Sequence, residues 1–345
     1  MSVSPQPSSP YEPAAWFWPL MGGRRREGET FSIGGQDFVV AGGLPRAQRF
    51  YSAAQAQTEQ AFGFKWKKRD TFDSESSRAR MREWLNQRYG HVVEQRWLDG
   101  MERPLVLDAG CGAAWSAFEY FAPVLDRIRY LGVDISVAVE VAAERLGERG
   151  ARGGFLQADV GALPFAPGSV DVIFSEGVLH HTDSTERSFA ALAPLLRPGG
   201  LFMFYVYREK GPVREFTDDY IRAKLQSMAP EEAWRAMEPL TRLGIELGKL
   251  NATIDIPEPI GLLDIPAGRM DLQRFFYWHV AKAFWRPDMT FDEMNHINYD
   301  WYAPRNAHRH TEAEVRDWCA AAGLEVVRNR VEEAGITVVA RKQAN

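Results

Sequence analysis

Three aspartates stand where an acidic side chain could bind the hydroxyl and amino groups of a ligand. Asp108 opens the sequence Asp-Ala-Gly-Cys-Gly at residues 108–112, and Asp134 and Asp159 each end a later apolar segment. Asp134 follows the glycines at a distance of about 20 residues, which suits an acid that binds a ribose. One carboxylate can accept hydrogen bonds from both ribose hydroxyls, and each such bond contributes ~1.5–3 kcal/mol. The spacing therefore predicts a site for a ligand that contains a ribose.

The elements that must position these acids are short apolar segments, typical of strands buried on both faces. They lie at residues 105–107, 129–133, 154–158 and 170–174. After the first segment, a turn with glycines lets the backbone approach a ligand, because a Cβ would block it. A helical pattern then opens near Trp115. This order of strand, glycine turn and helix predicts an open α/β sheet with its ligand site at the carboxyl ends of the strands.

Six motifs occur in order between Pro104 and Tyr207. They are Asp-Ala-Gly-Cys-Gly at 108–112, Gly-Val-Asp at 132–134, Gln-Ala-Asp-Val-Gly-Ala-Leu-Pro-Phe at 157–165, Asp-Val-Ile-Phe at 171–174, Val-Leu-His-His at 178–181 and Leu-Arg-Pro-Gly-Gly at 196–200. Together they resemble class I methyltransferases that depend on S-adenosyl-L-methionine (SAM), in the methyltransferase type 11-like branch that acts on small molecules and natural products. The resemblance implies an enzyme that uses SAM and releases S-adenosyl-L-homocysteine (SAH).

The resemblance implies an α/β fold, a Rossmann-like, seven-stranded, mostly parallel sheet with helices on both faces and an antiparallel last strand. The expected organisation is a flexible arm with an aromatic patch at 1–30, an N-terminal extension of hairpin and helices over the SAM site at 31–100, the SAM-binding core at 101–207, a helical insertion that binds the acceptor at 208–306, and a C-terminal helix and hairpin at 307–345. Periodicity predicts helices at 75–89, 231–248, 271–285 and 312–322, and hairpins at 31–40 and 324–341.

The resemblance also implies how SAM would be held. Asp134 is expected on the ribose and Asp159 near the adenine amino group, although Asp159 could instead cap the next turn. Asp108 either supports the methionyl amine or bonds the amides of its own turn. Aromatic residues of the extension either close the pocket or only anchor a helix to the sheet edge. The expected cofactor-binding residues are Asp108, Ala109, Gly110, Cys111, Gly112, Asp134, Ile135, Asp159, Val160, Glu176, Gly177, Phe64 and Trp66.

Candidate catalytic residues follow the fourth and fifth strands, where the methyl group and its acceptor would meet. They are His180, His181 and Tyr207. A neutral imidazole is a suitable general base near pH 7, but either histidine could instead cap a helix or pack on the adenosine. A hydroxyl acceptor needs such a base, whereas a thiolate or carboxylate acceptor does not. Oxygen is the favoured acceptor atom.

The insertion is expected to determine the acceptor, which would be a small molecule such as an anionic metabolite, a glycan precursor or a natural product. The candidate acceptor-binding residues are Tyr205, Arg208, Tyr299, Tyr302, Arg305, His308 and His310. Arg208, Arg269, Arg305 and Arg309 could bind an anionic group, or they could be solvated, and the aromatic residues could be core. The arginines of the helix at 75–89 are expected to face solvent. No metal is expected, because His308 and His310 lack evident ligand partners.

Two other functions remain open at this point. One is S- or C-methylation of a small acid, for which the histidines would be packing residues. The other is binding of SAM without catalysis of methyl transfer, as in a SAM-binding regulator or a partner subunit that is not catalytic.

Composition narrows the class of protein. The chain has 345 residues and a formal net charge of −5, which argues against a nucleic-acid partner. Its two cysteines, Cys111 and Cys319, exclude a disulfide scaffold and fit a reducing, cytoplasmic location. No apolar run of about 18 residues is present, so no membrane span is expected. A monomer or homodimer is expected.

Overall fold

A single sheet forms the centre of the protein in the computed structural model, which describes residues 11–48, 52–68, 71–72 and 74–343. The strands of the described residues are β1 (Thr30–Ile33), β2 (Gln36–Ala41), β3 (Leu44–Ala47), β4 (Leu105–Ala109), β5 (Arg129–Asp134), β6 (Gly154–Gln157), β7 (Val170–Glu176), β8 (Leu196–Tyr207), β9 (Thr253–Ile256), β10 (Gly268–Asp271), β11 (Leu324–Val331) and β12 (Gly335–Lys342). The helices are α1 (Phe17–Leu20), α2 (Ala53–Trp66), α3 (Glu75–Tyr89), α4 (Trp115–Tyr120), α5 (Ala138–Glu148), α6 (Thr185–Leu192), α7 (Pro212–Leu225), α8 (Pro230–Lys249), α9 (Leu272–His279), α10 (Phe291–Tyr302) and α11 (Glu312–Ala321).

The strand order in the sheet is β1-β2-β3-β6-β5-β4-β7-β8-β12-β11. Neighbours from β3 to β8 are parallel, and β12 pairs antiparallel with both β8 and β11. The predicted α/β fold, with a mostly parallel sheet and an antiparallel last strand, is therefore confirmed. The sheet has ten strands instead of seven, because β1, β2 and β3 add an antiparallel meander at the edge beside β6.

The central strands are apolar because both of their faces are covered, as is usual for parallel sheets. All five residues of β4 are buried. Alternate side chains of a strand point to opposite faces, so Leu105 and Leu107 belong to one core and Val106 to another. The aromatic patch of the N-terminal region joins the first core, since Phe17 and Met21 are fully buried there. Residues 1–10 of the predicted arm lie outside the described residues.

The insertion after β8 consists of α7 to α10 and the small sheet of β9 and β10. The predicted helix at 271–285 is wrong beyond His279, where α9 ends. A side chain of α9 itself and one of α10 hydrogen-bond the backbone that follows, so this backbone does not need the hydrogen bonds of a continued helix. Gln273 Nε2 donates to the carbonyl of Ala283 (2.7 Å), and the amide of Phe284 donates to Asn298 Oδ1 (2.9 Å). None of the described helices is both long and apolar enough to span a membrane.

Candidate active site

A cavity of about 600 Å³ opens at the carboxyl ends of the parallel strands. Its walls come from these strand ends, from α2 and α3, from the insertion and from the turn between β11 and β12. The predicted residues that line it are Trp66, Gly110, Asp134, Ile135, Asp159, Val160, Glu176, Gly177, His181, Tyr205 and Tyr207. The cavity therefore joins the predicted cofactor end to part of the predicted acceptor end.

Asp134 is held in place by three hydrogen-bond donors. Its Oδ2 accepts from the amide of Gly112 (2.7 Å), and its Oδ1 accepts from the amide (2.8 Å) and the hydroxyl (2.7 Å) of Ser136. Burial raises the pKa of Asp134, while these hydrogen bonds lower it. Asp159 also lines the cavity, and its Oδ1 accepts from the amide of Gly161 (2.8 Å). Asp159 therefore caps its own turn and also lines the cavity, so the two roles predicted for it do not exclude each other.

The glycine turn needs its glycines for space as well as for backbone conformation. Gly110 has φ +85°, and a Cβ there would lie 2.1 Å from Val178 Cγ1. Gly112 has φ +50°, and a Cβ there would lie 2.6 Å from Trp66 Nε1. Both φ values are ones that L side chains rarely adopt. The turn therefore keeps the backbone close to the cavity on one side and to α2 on the other.

Four predicted cofactor residues of this turn do not line the cavity. Asp108 is buried and accepts from the Tyr130 hydroxyl (2.5 Å), and burial raises its pKa to about 7. The side chain of Cys111 packs in the core beside Gly132. Ala109 and Gly112 also lie behind the cavity wall. Of residues 108–112, Gly110 is the one that lines the cavity.

One face of α2 forms the cavity wall over the cofactor end. Thr58, Phe62, Lys65 and Trp66 line the cavity, at the three- and four-residue spacing of a single helix face. Phe64 is two residues from Phe62, and it points instead to Trp234 and Tyr299 in the insertion (6.2 and 5.7 Å between ring centres). The predicted cofactor contact of Phe64 is therefore not formed, because the helix turns this side chain away.

Of the three predicted catalytic residues, His181 has the geometry of a base. Its Nδ1 lies 2.6 Å from the carbonyl oxygen of Asn306. A carbonyl oxygen only accepts, so Nδ1 carries the proton of the neutral ring and Nε2 keeps its lone pair. Burial lowers the pKa of His181 to about 4, against the opposing effects of Asp300 and Asn306. The imidazole is therefore neutral near pH 7.

His180 and Tyr207 do not suit the role of base. His180 is fully buried, lies outside the cavity lining and stacks on Tyr207 (3.6 Å between ring centres). In the turn at residues 179–181, the side chain of His181 faces the cavity and that of the adjacent His180 does not. Burial raises the pKa of Tyr207 well above 10, so its phenol stays protonated and serves as a wall.

Most of the predicted acceptor-binding residues lie elsewhere. Tyr299 and Tyr302 are core residues of the insertion, and the Tyr302 hydroxyl donates to Asp218 (2.7 Å). Arg208 is exposed. Arg305, His308 and His310 line a separate surface depression, because their segment runs beside the outer end of β8, where His310 pairs with Arg208. Tyr205 alone of this set lines the cavity.

The arginines considered for an anion also lie outside the cavity. Arg269 and Arg305 are exposed. Arg309 donates to Glu215 (2.6 Å) and Asp219 (2.9 Å), so its charge is already compensated. In the described part of the chain, no group of three or more His, Cys, Asp or Glu side chains is arranged to hold a metal ion.

Sequence reasoning missed most of the charged residues of the cavity. Arg88, predicted to face solvent, is buried between the rings of Trp84 (3.6 Å) and Tyr205 (3.8 Å) and donates to Glu176 Oε1 (3.0 Å). The i, i+4 spacing of Trp84 and Arg88 on one helix could have indicated this contact. The remaining cavity cations include Lys65, Lys210, Arg274 and Lys282. No local sequence pattern marks these four residues as part of the cavity.

Comparison with known proteins identifies the central segment. Residues 107–204 match the family model described as a methyltransferase domain. An uncharacterized protein of Synechococcus sp. is 39% identical over 112 residues, which cover 32% of this chain and 27% of that protein. A malonyl-acyl-carrier-protein O-methyltransferase of Legionella pneumophila is 31% identical over 100 residues, covering 29% of this chain and 34% of that protein. These alignments thus span about a third or less of either relative.

Solved structures include one that aligns along nearly the whole chain. The 1,6-didemethyltoxoflavin-N1-methyltransferase of Burkholderia thailandensis aligns over 92% of this chain and 100% of that chain, with 16% identity and a TM-score of 0.44.

Proposed function

We propose, from the premise that residues 107–204 form a SAM-dependent methyltransferase domain, that the protein transfers the methyl group of SAM to an oxygen atom of a small molecule. One observation carries this proposal. A single cavity joins Asp134 and Asp159 to His181 and to an aromatic chamber. The chamber is lined by Trp84, Tyr205, Tyr207, Tyr277, Trp278, Phe284 and Trp301. A concave site with apolar walls and a few polar groups suits a small ligand.

The residues of the cavity fit SAM. Asp134 offers a fixed carboxylate for a ribose diol, and Gly110 leaves room for backbone to approach the ligand. When bound, SAM supplies an already activated methyl group on its sulfonium. The protein then mainly contributes positioning and a matched electrostatic environment. His181 Nε2 accepts the proton of the acceptor hydroxyl, and the surrounding rings exclude water.

Calorimetric titration with SAM and SAH tests the cofactor half of this proposal. Wild-type protein should bind both ligands. Asp134→Ala should weaken binding by about 10- to 150-fold, which corresponds to the ~1.5–3 kcal/mol of a hydrogen bond to a charged group. Asp126→Ala is the matched control, because Asp126 is exposed and does not line the cavity. Wild-type protein that binds neither ligand, or equal binding by Asp134→Ala, would overturn this assignment.

The two phenylalanines of α2 should have different effects when each is replaced by alanine. Phe64→Ala should lower the free energy of unfolding by ~2–4 kcal/mol, because it empties a site among packed rings. Phe62→Ala should cost less stability but weaken SAH binding, because Phe62 lines the cavity. Urea unfolding and SAH titration of both variants measure these effects. Equal loss of stability with unchanged SAH binding would contradict the assignment of the two faces.

A further inference from the structure

The segment after α9 forms a rigid wall of the acceptor chamber. Side chains at 282, 284 and 286 line the cavity, whereas Ala281 and Ala283 are buried on the other side. This alternation is that of extended backbone. The amide of Lys282 donates to the Tyr302 hydroxyl (2.7 Å), which itself donates to Asp218 (2.7 Å). The position of Lys282 is therefore set by a buried hydrogen-bond network.

Most cations of the cavity have a carboxylate partner. The ion pairs are Lys65 with Asp300, Arg80 with Glu293, Arg88 with Glu176, Arg214 with Asp218 and Arg286 with Asp288. Each of these cations is therefore compensated without a ligand.

Lys210, Arg274 and Lys282 line the same cavity and have no carboxylate partner among the described residues. Among the described residues, Lys210 Nζ donates to the carbonyls of Arg208 and Ala334. Arg274 donates to the carbonyl of Trp285 (3.1 Å). Nζ of Lys282 makes no hydrogen bond with a described residue. The cavity cations without a direct ion pair among the described residues are thus these three, and carboxylates such as Asp300 compensate them only from a distance.

Two of these cations lie against one ring. Nζ of Lys282 is 4.6 Å, and Nζ of Lys210 is 5.4 Å, from the ring centre of Trp301. A cation over an indole ring is attracted by the ring quadrupole, but this attraction does not replace the hydration that an ammonium group has in water. Burial accordingly lowers the pKa of each amine to about 7. An anion placed beside them would supply the missing compensation.

We propose that the acceptor carries an anionic group, a carboxylate or a phosphate, that binds Lys282 and Lys210 at Trp301. This inference rests on the proposed function and deepens it. Tyr207 lies between Trp301 and His181, with 4.3 and 5.3 Å between ring centres. An acceptor that packs on Tyr207 would direct its anionic group toward the amines at Trp301 and its hydroxyl toward His181.

Binding of the anion should be coupled to uptake of protons. The charged groups that face the two amines are Asp300 on α10, Arg214, Glu215 and Asp218 on α7, Lys65 on α2, and Arg208. An anion favours the protonated amines, and above pH 7 part of that protonation must occur on binding. Affinity should therefore fall as the pH rises through about 7.

Calorimetry on the full-length protein saturated with SAH tests the inference. The probes are 4-hydroxybenzoate, phenyl phosphate and the neutral 4-hydroxybenzamide. At pH 6.5 at least one charged probe should bind about 10-fold or more tightly than the amide. Lys282→Met should weaken that binding about 10-fold or more, whereas Lys282→Arg should retain most of it. Lys249→Met is the matched control, because Lys249 is exposed and pairs with Glu246.

Two further measurements separate the possible failures. Titration at pH 8 in buffers of different ionisation enthalpy should report net proton uptake by wild type, and less by Lys282→Met. SAH binding by each variant shows whether the cofactor site is intact. If wild type binds SAH but binds no charged probe better than the amide, or if Lys282→Met binds the probe as wild type does, this inference is overturned while the methyltransferase proposal survives. If wild type fails to bind SAH, the proposed function itself fails.

Discussion

Replacing His181 by alanine should lower kcat for a hydroxyl acceptor by about 10²- to 10⁴-fold, the usual contribution of a positioned general base. The hydrogen bond from Nδ1 to the Asn306 carbonyl (2.6 Å) fixes the ring so that Nε2 is the basic atom. His180 does not reach the cavity, and the phenol of Tyr207 stays protonated. No other predicted catalytic residue can therefore replace it.

The pH dependence of kcat distinguishes a base from a packing residue. The pKa of His181 is lowered to about 4, so the base is neutral and active above that pH. Wild-type kcat should fall as the pH drops through about 4 and stay level near neutrality. In His181→Ala, kcat should instead rise with pH as the acceptor hydroxyl ionises. His91→Ala, which changes a histidine outside the cavity, should match wild type.

Full activity of His181→Ala at every pH would rule out its role as a base. That result would favour a thiolate or carboxylate acceptor, which needs no base. SAH titration of the variant confirms that the loss of activity does not come from a damaged cofactor site.

Replacing Lys65 by methionine should lower the free energy of unfolding by up to ~3 kcal/mol, the lower end of the usual cost of leaving a buried charge without its partner, because the Asp300 side chain keeps 29% exposure. Nζ of Lys65 on α2 donates to Asp300 on α10, and Lys65 is only 5% exposed. Burial acts to raise the pKa of Asp300, but the positive charges of Lys65 and Lys282 hold that pKa well below its usual range. Loss of Lys65 therefore removes the largest compensation of this carboxylate.

Urea unfolding of a double-mutant cycle measures this pair. Lys65→Met combined with Asp300→Leu should recover most of the stability lost in the single variant, because an apolar pair needs no compensation. Lys249→Met breaks an exposed pair and should change stability by less than ~1 kcal/mol. If Lys65→Met unfolds as wild type does, the pair does not hold α2 against the insertion. SAH binding of the variants shows whether the same pair also closes the cavity.

The sequence alone predicted the α/β fold and the similarity of its central segment to methyltransferases. Residues 107–204 match the methyltransferase domain, as the six motifs predicted. These signals are local, since a strand, its glycine turn and the acid at the end of the next strand lie within a few tens of residues. The hairpin at the C-terminus and the helix before it were also predictable, because a capping box formed by Thr311 and Glu314 begins α11.

Only the tertiary structure decided which side chains share the cavity. The sequence does not distinguish Phe62 from Phe64, or His180 from His181. The way α2 and the turn at 179–181 pack against their neighbours places Phe62 and His181 at the cavity and turns the other two side chains away from it. The acceptor chamber depends on contacts between residues more than 200 positions apart, such as Lys65 with Asp300. Lys282 faces the cavity where side chains of α9 and α10 hydrogen-bond the backbone around it beyond the end of α9. Such contacts leave no periodicity or spacing in the chain, since they follow from the packing of whole elements.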